Sequence, residues 1–137
     1  MMRWVHRGVP LPFGAIRNKR SFIALDNLVD LVGSCLEHRT APGGVFLASD
    51  GEDLSTPELL ERVGLALGRP ARLVAVPGTL LRLAATVVGK GDLARRLCGS
   101  LQVDISMTRQ RLGWTPPVSV DEALEKTVRH FLEFDAA

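Results

Sequence analysis

A chain of 137 residues is long enough to bury one substantial hydrophobic core and short for two. With 46% hydrophobic and 23% charged residues, its composition is that of an ordinary globular domain and excludes disorder and low complexity. A formal net charge of +2 is too small to argue by itself for a nucleic-acid or membrane partner. Cys35 and Cys98 are too few for a disulfide framework.

Taken in order, Met1 to Arg7 reads as the end of a helix closed by Gly8, as if the chain began in mid-fold. Val9-Pro-Leu-Pro-Phe-Gly is extended, because each residue before a proline is pushed out of the α region. A basic loop, Arg17-Asn-Lys-Arg, leads into an expected strand from Ser21 to Leu25. Asp26 is then the expected cap of a helix reaching about His38, with Leu28, Leu31, Val32, Cys35 and Leu36 on one face. A thiol on that stripe is expected to be buried and free, as in a reducing cytoplasm. Val45-Phe-Leu-Ala reads as a buried strand.

Ser55 and Glu58 form a capping box for a helix with the stripe Leu59, Leu60, Val63 and Leu67, stopped by Gly68 and Pro70. Leu73 to Val76 is a further short strand, followed by helices over about Thr79 to Val88 and Asp92 to Leu97. Ser106 is the expected N-cap of a short helix that Gly113 ends, and Trp114 is expected to wedge between the last two helices. Ser119 and Glu122 cap the final helix, whose stripe runs Val120, Ala123, Leu124, Thr127, Val128, Phe131 and Leu132. The sum is a helix-rich α/β domain with few short strands. The N-terminus lacks the apolar run of a signal peptide, and Leu80 to Val88 is too short and too interrupted by Arg82 to span a bilayer. A cytoplasmic protein with no membrane or nucleic-acid partner is expected.

The chain has no Gly-rich strand-to-helix loop, no P-loop and no Cys/His ligand spacing. His6, His38 and His130 are far apart in sequence, and tyrosine is absent. Asp50-Gly-Glu-Asp is an acidic turn with too few fixed oxygens to hold a divalent cation.

Gly8-Val-Pro-Leu-Pro-Phe-Gly followed by Arg20-Ser-Phe-Ile-Ala-Leu-Asp resembles a segment of the extended short-chain dehydrogenase/reductases, the NAD-dependent nucleotide-sugar epimerases and dehydratases. Val45-Phe-Leu-Ala-Ser-Asp-Gly, Leu54-Ser-Thr-Pro-Glu-Leu and the Gly113-Trp-Thr-Pro-Pro tail resemble later segments of the same family, in the same order. The likeness covers essentially the whole chain and looks nearest to UDP-hexose 4-epimerases, in the bacterial branch serving surface polysaccharide.

That resemblance implies a single domain over residues 1–137, the C-terminal substrate-binding portion of a Rossmann-type enzyme, with the N-terminal NAD-binding portion absent. It implies a UDP-sugar or similar nucleotide-sugar ligand, with the Leu11 to Phe13 backbone against the pyrimidine and Arg20 on the diphosphate. Arg95 or Arg96 matches a second diphosphate arginine, and Ser100 or Gln102 stands where relatives hold the ribose. The physics of Arg20 agrees, since a guanidinium is a planar fork that grips two phosphate oxygens at once. A solvated charge beside a strand is the plainer account of Arg20, and favourable charges near a helix C-terminus the plainer account of Arg95 and Arg96.

The family's catalytic Tyr and Lys and its Gly-rich loop are not in this sequence. The expectation is therefore a chain inactive alone and binding no NAD alone, its partner the missing Rossmann portion or a second copy of itself. The alternative is a stand-alone, non-catalytic module for a nucleotide-sugar or a protein. Apolar surface around Leu28, Leu31, Val32 and Val45 to Ala48 is expected to lie uncovered without a neighbouring sheet, which favours self-association.

Overall fold

The computed structural model describes residues 1–39, 41–87 and 98–134. Among these the elements are α1 (Met2–His6), β1 (Arg20–Ser21), α2 (Leu25–Glu37), β2 (Asp53–Leu54), α3 (Thr56–Ala66), α4 (Gly78–Val87), α5 (Ser106–Leu112) and α6 (Val120–Phe134). The helix-rich α/β class expected from the sequence is what forms. The sequence-predicted helix at Asp92 to Leu97 falls outside the described residues.

Two cores organise the fold. The first gathers Val5, Leu11, Phe13, Ile16 and Leu60, with Leu73, Leu81 and Cys98 packed against it. The second gathers Leu31, Ala41, Ile105, Leu112 and Trp114, with Cys35, Phe46 and Ala48 at its margin. Helix α3 packs on α1 and on α6, so it links the N-terminal segment to the tail.

Strand content is small. β1 pairs antiparallel with β2, Arg20 opposite Leu54 and Ser21 opposite Asp53. On the other edge Arg20 bridges Leu101 in parallel, with the Ser21 N–H donating to the Leu101 carbonyl at 2.8 Å and the Leu101 N–H to the Lys19 carbonyl at 2.9 Å. A second parallel bridge joins Leu11 to Leu73. The expected strand from Leu73 to Val76 is thus one bridge, and the expected strand from Ser21 to Leu25 stops at Ser21, because α2 already begins at Leu25.

The capping boxes form as read. Glu58 N–H donates to Ser55 Oγ and Ser55 N–H to the Glu58 carboxylate. Ser119 and Glu122 repeat the exchange at α6, with bonds of 2.9 and 3.3 Å. Gly113 closes α5 at φ +63°, the left-handed exit expected of it.

Three expectations about caps and packing are corrected. Asp26 does not cap α2: the N-cap is Ala24, whose N–H donates to both carboxylate oxygens of Asp50 at 2.9 and 3.0 Å. Asp26 sits in the first turn and pairs instead with Lys126 at 2.6 Å. Ser106 does not cap α5 either; its N–H donates to Asp104 Oδ1 at 2.8 Å, two residues upstream. Trp114 packs with Leu112 of α5 and Leu31 of α2, its Nε1–H donating to Asp30 Oδ2 at 2.7 Å, so it seats α5 against α2.

Finally, Val45 to Ala48 is neither a strand nor buried throughout. Phe46 and Ala48 face the second core, while Val45 is 87% exposed and Leu47 stands outward. No described segment forms a ladder with it. The same reason divides α2. Leu31 is buried, but Leu25, Leu28, Val29, Val32 and Leu36 form an exposed apolar stripe, Leu36 to 83%. Cys35 is half-buried and free rather than buried.

Candidate site at the central strand

Arg20 is the residue the fold places most firmly. It lies in the middle of three backbone segments, between Leu54 and Leu101, so a two-residue ladder on one side and a single bridge on the other fix its Cα. Side chains alternate across a strand, which puts Ser21 on one face and Arg20 with Phe22 on the other. The Arg20 guanidinium carbon lies 5.9 Å from the Phe22 ring centroid, at the outer edge of a cation–π contact.

Ser100 is brought next to it. The Lys19 N–H donates to Ser100 Oγ at 3.1 Å, and Asn18 Nδ2 donates to the Gly99 carbonyl at 3.0 Å. Asn18 is buried and also donates to Thr56 Oγ1 at 3.1 Å while accepting the Thr56 N–H at 2.9 Å. One side chain thereby ties the residue before Lys19 to the start of α3 and to the 99–103 segment. Nothing in the sequence singled Asn18 out, since a loop asparagine has no periodic signal.

On the opposite face, Ser21 Oγ and Gln102 Nε2 donate to the two oxygens of Asp53, Gln102 at 2.7 Å. The Gln102 amide first, then the Ser21 hydroxyl, hold the Asp53 carboxyl below its usual range, and Lys19 adds a smaller pull. Of the two ribose candidates, Gln102 has its amide nitrogen occupied by Asp53, whereas Ser100 is exposed.

Leu11 and Phe13 point their side chains into the first core, so any contact with a ligand is through their backbone. The Leu11 N–H donates to the Arg72 carbonyl at 2.8 Å and its carbonyl accepts the Val74 N–H at 2.8 Å. The Phe13 carbonyl accepts the Ile16 N–H at 3.1 Å. Gly14 allows this close approach: a Cβ there would stand 3.1 Å from the Val74 carbonyl carbon. Arg95 and Arg96 lie outside the described residues.

An open cleft of about 460 Å³ lies elsewhere, lined by Arg62, Leu65, Ala66, Asp121, Leu124 and Glu125. Its one cation, Arg62, is held by Glu52 and by Asp121, the latter at 3.0 Å, which disfavours an anionic ligand there. No group of three or more His, Cys, Asp or Glu side chains that could hold a metal occurs among the described residues. Nor is any helix among them long and apolar enough to cross a membrane.

No protein-family profile matches the chain. It is 45% identical over 134 residues to a UDP-glucose 4-epimerase of Vibrio cholerae, covering 97% of this chain and 41% of that protein. It is 24% identical over 116 residues to a dTDP-4-dehydro-6-deoxyglucose reductase of Escherichia coli, covering 85% of this chain and 32% of that protein. Its fold superposes with a TM-score of 0.62 on the crystal structure of UDP-glucose 4-epimerase with UDP-glucose from Thermotoga maritima, at 21% identity, over 96% of this chain and 38% of that one. The chain therefore spans about two fifths of the length of the epimerases it matches.

Proposed function

Since this chain belongs to the epimerase family of extended short-chain dehydrogenase/reductases and is consistent with a C-terminal portion of that fold, we propose that it is the part that binds the nucleotide-sugar. In this reading Arg20 carries the diphosphate, Ser100 the ribose, and the Leu11 to Phe13 backbone the base. The observation that supports it most is the placement of Arg20. Two flanking segments fix its backbone, next to the exposed Ser100 whose Oγ accepts the Lys19 N–H. Leu11 spends its own N–H and carbonyl on Arg72 and Val74, so the base would be met by Pro12 and Phe13 backbone groups.

Epimerases of this family are NAD-dependent, and NAD when bound supplies the hydride acceptor and donor. The 137 residues here have neither a Gly-rich loop to cradle a dinucleotide nor a tyrosine. They do not fit the cofactor, so we assign no redox step to them and expect the chain to be inactive alone. Its partner would be the NAD-binding portion of the fold, seated on the apolar stripe of α2.

Calorimetry with a UDP-sugar tests the site. A charge-assisted bond contributes roughly 1.5–3 kcal/mol, so Arg20→Ala should weaken binding about tenfold or more, with an unchanged circular-dichroism spectrum. No heat with either protein would refute the diphosphate assignment.

A further inference from the structure

Asn18 stands two residues before Arg20 in the chain, with 3% of its surface exposed. Its bonds follow the register of Arg20. Arg20 pairs antiparallel with Leu54 on one side and bridges Leu101 in parallel on the other. Carried back two residues along this segment, those pairings set position 18 opposite Thr56 and opposite Gly99. These are the residues that the Asn18 side chain holds. Its Oδ1 accepts the Thr56 N–H at 2.9 Å, and its Nδ2 donates to Thr56 Oγ1 at 3.1 Å and to the Gly99 carbonyl at 3.0 Å. The amide thus continues both pairings by side chain where the backbone ladder has ended.

The pairing around Arg20 is short enough to need this. β1 and β2 are two residues each, and two strands that short are marginal on their own. The 99–103 side adds a single bridge, with the Lys19 N–H reaching Ser100 Oγ beside it. A buried amide bonded in this way is directional. It fixes how the segments slide past one another, where an apolar side chain of equal size would only fill space. Lys19 alone separates the clamp from Arg20, so slippage at position 18 passes to the Arg20 backbone with little loss. A guanidinium that meets a diphosphate with two donors at once tolerates little of it. Such a contact needs its residue held to within about 0.5 Å by supporting bonds.

We propose that Asn18 is a positioning residue for the diphosphate contact: it locks the two segments that flank Arg20 and acts on the ligand only through that guanidinium. This rests on the reading of Arg20 as the contact. A buried asparagine that served the fold alone would lower stability and leave the affinity of the folded chain as it was.

A double-mutant cycle in calorimetry with UDP separates the two roles, each protein being held at a temperature where circular dichroism shows it folded. Asn18→Ala should weaken binding about fivefold, within the range seen for residues that act together. In the Arg20→Ala background the same substitution should change affinity by less than about twofold, since the group it positions is gone. Thr56→Val, close in volume, removes the Oγ1 acceptor and keeps the backbone N–H. It should weaken binding in the same direction, and it carries the cycle if Asn18→Ala does not fold. A lower thermal midpoint with unchanged affinity overturns the positioning role, and so does an equal loss in both backgrounds. Either result leaves the Arg20 contact standing when Arg20→Ala alone weakens binding. No binding of UDP by the unmodified chain, or equal binding by Arg20→Ala, overturns the contact and the inference with it.

Discussion

Asn27 is fully buried, with 0% of its surface exposed, and it spends its side chain on three hydrogen bonds. Its Nδ2 donates to Asp50 Oδ1 at 2.7 Å and to the Val118 carbonyl at 2.8 Å, while its Oδ1 accepts the Val118 N–H at 2.9 Å. Asp50 is also the residue that caps α2 through the Ala24 N–H. One amide therefore joins the first turn of α2, the 49–51 turn and the loop entering α6. Asn27→Ala removes all three bonds and leaves a carboxylate oxygen and two backbone groups with fewer partners. Taking about 2 kcal/mol for the bond to the carboxylate and about 1 for each of the others, the loss is about 4 kcal/mol. Against the roughly 5–15 kcal/mol that holds a domain together, that is a large share. With a urea m-value of about 2 kcal/mol per molar, the midpoint should fall by about 2 M with its slope unchanged. Asn27→Asp should be at least as damaging, because it sets a second carboxylate against Asp50 and removes both donors. A loss below about 1 kcal/mol in urea titrations would show that water replaces these bonds freely and would refute the reasoning.

Two further outcomes follow from other parts of the fold. Because Gln102 and Ser21 hold the Asp53 carboxyl below its ordinary value of 3.8, its contribution is present above that pH and is lost as pH falls through the lowered folded value. Asp53→Asn should therefore destabilise the chain at neutral pH, and the gap in urea midpoints should close as the pH falls through that lowered value; a gap constant with pH refutes the assignment. The exposed stripe of Leu25, Val29, Val32 and Leu36 predicts concentration-dependent association in sedimentation velocity, which Val32→Glu with Leu36→Glu should abolish without unfolding the chain. A monodisperse monomer at every concentration would count against that.

The parts of this fold legible in the sequence are those whose cause is local. A capping box needs only residues three apart, and both boxes form where Ser55 with Glu58 and Ser119 with Glu122 announce them. Gly113 likewise ends α5 by its own backbone freedom. What was misread depends on partners far along the chain. Asp26 has the composition of a cap, yet Asp50 takes the position, because Asn27 and Ala24 both point donors at it. Trp114 looked like a wedge between its sequence neighbours, and Asp30 draws its indole to α2 instead. Arg20 was legible as a residue type suited to phosphate, but not its rigidity, which comes from Leu54 and Leu101 on either side.

The uncovered stripe of α2, expected from the sequence, and the misreading of Val45 to Ala48 as a buried strand share a deeper cause. Apolar periodicity says that a face prefers to be covered, and it does not say by what. In α2 two apolar faces share one helix: Leu31 finds Ile105 and Trp114, and Leu25, Val29, Val32 and Leu36 find nothing among the described residues. In the 45–48 segment Phe46 and Ala48 are covered while Val45 and Leu47 are not. The pattern reads as core in both places because the same chemistry serves a core and an interface.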